Sequence, residues 1–161
     1  MFCHAGLDPA SIFMINKYKK ILFIFILFSA QLFSQNKILI PMDLTQTDHL
    51  KAYGITFHAL EDGLKADWLL NYRGGSFMID QSDKIVSECL LNEVLFEQIN
   101  LSQAAQIYAE VQSEDNNMDV VRLEKAPRIA VYVPPGFQPW DDAVTLALEY
   151  ANVKYDKIWN N

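Results

Sequence analysis

Cysteine is scarce: Cys3 and Cys89 are the two in 161 residues, too few for a disulfide framework. Histidine is scarce as well. His49 and His58 stand nine positions apart, and no His-x-x-x-His or Cys-x-x-Cys pair exists, so local spacing supports no zinc site. No Gly-x-Ser-x-Gly elbow and no Walker loop is present, and the single Gly74-Gly75 pair does not make a dinucleotide fingerprint. No catalytic residue, metal or cofactor is therefore assigned. Positive charge is in deficit, with 13 basic against 20 acidic residues and a net charge of −7. No basic patch is visible that would neutralise phosphates, which disfavours a nucleic-acid partner. What remains is a globular composition, 51% hydrophobic and 20% charged, of a length for one domain or two.

Lys17, Lys19 and Lys20 precede an apolar run from Ile21 to Phe28, followed by small and polar residues to Ser34. This is the order of a secretory signal, with cleavage expected after Ser34. The run is short of the roughly 20 residues that span a bilayer, so an uncleaved anchor is the weaker reading and the only membrane contact expected. The stretch His4-Ala5-Gly6-Leu7-Asp8-Pro9-Ala10-Ser11 resembles the translation of an interspersed bacterial DNA repeat, which makes Met14 the expected start. Residues 1–34 carry three lysines and Asp8, so the other 127 residues hold 10 basic and 19 acidic groups, net −9. Cys89 is then the lone thiol, expected to be buried on a helix face.

Lys37–Met42 reads as a strand, and Leu50, Tyr53, Phe57, Leu60 and Leu64 form one helical face with Thr47 or Asp48 as cap. Asp67–Tyr72 reads as a second strand running into the turn Arg73-Gly74-Gly75-Ser76. A helix is expected over Asp83–Leu91, a strand over Val94–Ile99 and a helix from Leu101 to Val111, then a polar loop and a short strand over Val120–Leu123. After Lys125-Ala126-Pro127 the pattern restarts: strand 128–133, a helical stripe from Trp140 to Ala151, strand 153–159. Ile38 to Asp67 spans 29 positions and Ile129 to Asp156 spans 27, both near the 30 or so of a βαβ unit. These alternations predict an α/β fold with a mainly parallel sheet.

The strings Ile38-Leu39-Ile40-Pro41-Met42-Asp43, Thr45 through Gly54, Trp68 through Phe77, Asn117 through Val121 and Pro139 through Leu146 resemble a family of secreted bacterial proteins commonly named asparagine synthetase B. The resemblance covers nearly all of residues 37–161. It implies a longer protein that continues into a class I glutamine amidotransferase-like, flavodoxin-like domain. On that reading 35–125 is an N-terminal α/β region, 126–161 is the first βαβ of the second domain, and the chain is truncated and catalytically incomplete, its missing C-terminal domain being a partner. The chemistry in the family's name lacks its residues here. The glutamine-hydrolysing enzyme needs an N-terminal cysteine after Met1, and this chain has Phe2. Arg73-Gly74-Gly75-Ser76-Phe77 lacks the Asp-Ser end of an ATP pyrophosphate loop.

Three places could bind a small anionic or polar ligand. Arg73, Gly74, Gly75 and Ser76 follow a strand, where successive amides and a guanidinium could hold an anion, or where a tight turn simply needs positive φ. Asp43 lies just past the first strand near His49, at the strand-end crevice of α/β proteins, though helix capping explains its surroundings equally. Asp141 and Asp142, beside Trp140, could present paired carboxylates, or complement the dipole of a first helical turn. A stand-alone periplasmic binding module and an amide-nitrogen enzyme are the alternatives to an incomplete chain.

Overall fold

Strand β1 (Lys37–Ile40) lies inside a five-stranded sheet, between two antiparallel neighbours. The computed structural model describes residues 36–160, within the unit Gln35–Asn161. The expected start, signal and cleavage site lie outside those residues. No helix among the described residues is long and apolar enough to cross a membrane.

From β1 the chain passes through α1 (His49–Glu61), β2 (Ala66–Leu70), β3 (Phe77–Asp80), α2 (Asp83–Leu91), β4 (Glu97–Ile99), α3 (Leu101–Val111) and β5 (Asp119–Leu123). The strand order is β4-β1-β3-β2-β5, and every pair is antiparallel. The first six elements form a split β-α-β arrangement of the ferredoxin-like type, extended by β5 on the β2 edge. A separate parallel pair joins β6 (Ala130–Tyr132) to β7 (Asp156–Ile158), with α4 (Ala143–Tyr150) between them in sequence.

The sheet corrects the expectation of a mainly parallel, flavodoxin-like or amidotransferase-like fold. β1 and β2 do run the same way, but β3 is inserted between them and pairs antiparallel with both. Phe77-Met78-Ile79-Asp80 is too short, directly after a Gly-Gly-Ser turn, to stand out in the sequence. A second cause is burial on both faces. Ile38, Ile40, Phe77 and Ile79 pack with Ile55, Ala59, Ile85 and Cys89 of α1 and α2. Leu39, Leu69 and Met78 pack on the opposite face with Ala104 and Val111 of α3. Strands covered on both sides lose the apolar–polar alternation of an antiparallel sheet and read as continuous apolar runs, the pattern usual for parallel strands.

The helices hold close to their expected bounds, though not to the expected face of α1. Leu50 and Tyr53 are about half exposed, while Ala52, Ile55, Thr56, Ala59 and Leu60 are buried. Small residues face inward because α1 is approached from two sides. It lies on the sheet, and a Cβ at Gly54 would collide with the Ala151 carbonyl at the end of α4. Leu90 of α2 is exposed, whereas Ile85 and Cys89, four positions apart on one helical face, are buried.

Candidate functional site

The loop after β1 and the loop between β2 and β3 meet at one end of the sheet. Gln46 is buried and ties the first loop to the segment before β4. Its amide nitrogen donates to the Pro41 carbonyl at 3.0 Å and the Leu95 carbonyl at 3.1 Å, and its carbonyl accepts from the Leu95 N–H at 3.0 Å. The Thr47 hydroxyl adds a bond to the Glu93 carbonyl at 3.1 Å. Asp48 caps α1 by accepting from the Lys51 N–H at 3.0 Å.

The second loop is held in an unusual backbone. Asn71, Arg73, Gly74 and Gly75 all have positive φ, at 61°, 46°, 81° and 94°. Gly74 has to be glycine for a further reason: a Cβ there would run into the Met42 carbonyl. The Arg73 carbonyl accepts from the Met42 N–H at 3.1 Å, and the Trp68 indole N–H donates to the Gly75 carbonyl at 3.0 Å. Ser76 is buried, its hydroxyl donating to the Tyr72 carbonyl at 3.0 Å. Gly74, Gly75 and Ser76 thus shape the turn and place Arg73.

Arg73 Nε donates to Asp43 Oδ2 at 2.9 Å, and Arg73 Nη1 donates to Glu97 Oε1 at 2.7 Å. Asp43 also accepts from the Thr45 hydroxyl and from the Thr45 N–H at 3.0 Å. The Thr45 hydroxyl above all, and then Arg73, hold the Asp43 carboxyl down at about 2. The hydrogen bond that Arg73 donates to Glu97, followed by the one it donates to Asp43, raises the guanidinium above its already high value. His49 Nε2 lies 3.1 Å from the Met42 carbonyl and 3.2 Å from the Asp43 carbonyl. Both partners are acceptors, which assigns a proton to Nε2 and leaves Nδ1 as the basic position of the neutral ring.

The structure therefore joins two of the three expected places, Asp43 with His49 and Arg73 with Gly74, Gly75 and Ser76. The guanidinium is not a bare anion receptor, because two carboxylates already neutralise it. An incoming anion would have to displace one of them, whereas a polar ligand could use the remaining guanidinium N–H groups. Asp43, ionised and strongly bonded, is unsuited to proton transfer near neutral pH.

Trp140, Asp141 and Asp142 do not join this cluster. Asp142 caps α4, accepting from the Val144 and Thr145 N–H groups at 3.0 Å each. Asp141 accepts from the Gln138 N–H at 2.9 Å, closing the turn Pro139–Asp141. Trp140 is largely exposed. The two carboxylates act at a helix entrance, in keeping with the dipole argument.

Glu97 was not legible as a site residue, since it reaches Arg73 only because β4 pairs with β1. His58 likewise carries no local sequence motif that marks it. It lies on an open groove of about 660 Å³ that also includes Glu61, Asp62, Lys84, Glu88 and Lys154. Cys89 is fully buried, and burial, with the Glu88 charge adding to it, pushes its thiol up to about 12. No protein-family description, curated protein or solved structure matches this chain.

Proposed function

We propose that the chain is an exported α/β protein related to the asparagine synthetase B family that performs no amide-nitrogen chemistry on its own. The observation that carries this reading is the state of Cys89. A thiol nucleophile needs access and a lowered pKa, and Cys89 has neither. Asp43 is fixed as a carboxylate by Thr45 and Arg73, which leaves His49 without an acid partner that titrates near neutrality. The test is ammonia release from glutamine by the full chain. Release no faster than in buffer is expected. Turnover that disappears in Cys89→Ser would sink the reading.

A second reading, a binding module for a small polar ligand, is favoured by the backbone at Arg73. A non-glycine residue at φ 46°, followed by two left-handed glycines, stores strain of a kind that gathers at functional sites. Titration with L-glutamine, L-aspartate and inorganic phosphate, followed by amide shifts of residues 43–49 and 71–76, tests it. Localised, saturable shifts that vanish in Arg73→Gln support binding there, and unmoved spectra with all three remove it.

A further inference from the structure

His58 lies near the C-terminal end of α1, and its ring reaches two other parts of the chain. Nδ1 bonds to the Glu88 carboxylate of α2, and Nε2 lies 2.7 Å from the Asn152 carbonyl just after α4. Carboxylate and carbonyl are both acceptors. Only the doubly protonated ring has an N–H for each. A neutral ring serves one of them and turns a lone pair on the other.

Each charged group around the ring has a defined partner. Lys84 of α2 donates to Asp62 at 2.6 and 2.7 Å, and Lys154 pairs with Glu61 at 3.2 Å. Both lysines are thus directed to the carboxylates at the C-terminal end of α1, Glu61 and the capping Asp62, and neither has a hydrogen bond to Glu88. The second Glu88 oxygen is buried without a hydrogen-bond partner. The bonded Glu88 oxygen thus has the His58 ring as its side-chain partner, and that ring is itself only 14% exposed.

The same ring sits where the β6–α4–β7 unit meets α1. That contact includes the Gly54–Ala151 backbone approach, the bond from the Tyr150 hydroxyl to Asp48, the Lys51 ammonium over the Tyr150 ring, the Lys154–Glu61 pair and the His58–Asn152 bond. The unit has two three-residue strands and one eight-residue helix. It is too small to keep its structure apart from α1, so protection of its amides reports its docking.

We propose that His58 is a pH-sensitive latch that holds the β6–α4–β7 unit on α1 when the imidazole is doubly protonated and loosens it when the ring is neutral. Histidine as a side-chain type changes charge between about pH 5 and 8, a window above the range of ordinary carboxylates, so a test across it addresses the ring. Docking is firm at the acidic side and weakens as pH rises.

Hydrogen exchange of the full chain tests the latch, with protection factors of residues 144–153 corrected for intrinsic exchange at each pH. Protection is expected to fall about tenfold between pH 5.5 and 8, the loss of one charge-assisted hydrogen bond. In His58→Gln, which keeps one neutral donor, protection should be low and flat across the range, with far-UV circular dichroism unchanged. Gly54→Ala, which obstructs the Ala151 approach without touching the ring, should lower protection at every pH. Wild-type protection that does not change with pH overturns the proposal. So does an equal fall in His58→Gln, since His49 and His4 remain in that variant. Protection in Gly54→Ala equal to wild type would overturn the premise that this contact protects α4.

Discussion

Arg73 and Asp43, thirty positions apart, are joined by a 2.9 Å bond from a guanidinium whose own backbone is left-handed at φ 46°. The ion pair and the strained turn depend on one another. The turn brings Arg73 to the end of β1, and the bonds to Asp43 and Glu97 help to hold the turn.

Thr45 is expected to govern the acid limb of this cluster. Its hydroxyl is the largest influence holding the Asp43 carboxyl at about 2, against an ordinary 3.8. A folded-state value below the unfolded one adds stability that is present above about pH 4 and is lost as pH falls through 2. Thr45→Val should move the Asp43 titration, read by carboxyl carbon shifts, up toward 3.8 and move acid unfolding to higher pH. An unmoved titration would assign the effect to Arg73 and the backbone N–H of position 45, which valine retains.

Two glycines with nearly the same φ should behave differently. Gly63 at +82° has nothing near the place a Cβ would take, whereas Gly74 at +81° has the Met42 carbonyl there. Gly63→Ala should cost about 1 kcal/mol from the backbone alone. Gly74→Ala should cost that and a displacement of the β1 loop, seen as a clearly lower urea midpoint with an unchanged slope. Equal midpoints would refute the close packing of the two loops.

On the α3 face, buried Asp67 accepts from Arg122 Nη1 at 2.8 and 3.0 Å and from the Tyr108 hydroxyl. Burial, then Asp67, raises the Tyr108 phenol well above its ordinary range. Tyr108→Phe should cost about 1–2 kcal/mol by removing a bond to a charged group. Asp67→Ala should cost more, because it strands both donors. Equilibrium unfolding of the two variants decides the order.

Asp142→Ala should lower stability by about 1 kcal/mol through loss of the α4 cap. The loss should show first as faster exchange in residues 144–150. Calcium or magnesium should leave wild-type exchange there unchanged. Protection by either ion would revive the paired-carboxylate reading of Asp141 and Asp142.

The helices were legible because their caps and spacing are local. Asp48, Asn100 and Asp142 lie next to the turns they cap, and the spacing of Leu101, Ala104, Ala105, Tyr108 and Val111 marks a helix without knowledge of the sheet, although Leu101 and Ala105 of that stripe are exposed. The parallel pairing of β6 with β7 was also legible, since one helix separates the strands. Strand neighbours elsewhere were not. Lys37 bonds to Asp80 across 43 positions at 2.6 Å, and nothing within either segment announces the other. The link between Asp43 and Arg73 was half legible. Both loops were marked as strand ends, but their meeting depends on β3, and the part played by Glu97 depends on β4.

The place of β3 sets the order in which the protein can come into being. A chain emerging from its N-terminus presents β1 and α1 with no strand to pair against until Phe77–Asp80 has been made. β1 then gains one neighbour, and its other side waits for Glu97–Ile99. Formation of the sheet is thus bound to long loop closures around its own middle strands, which makes it a slow step relative to helix formation. β5, at the rim, is the last strand of the sheet to be synthesised.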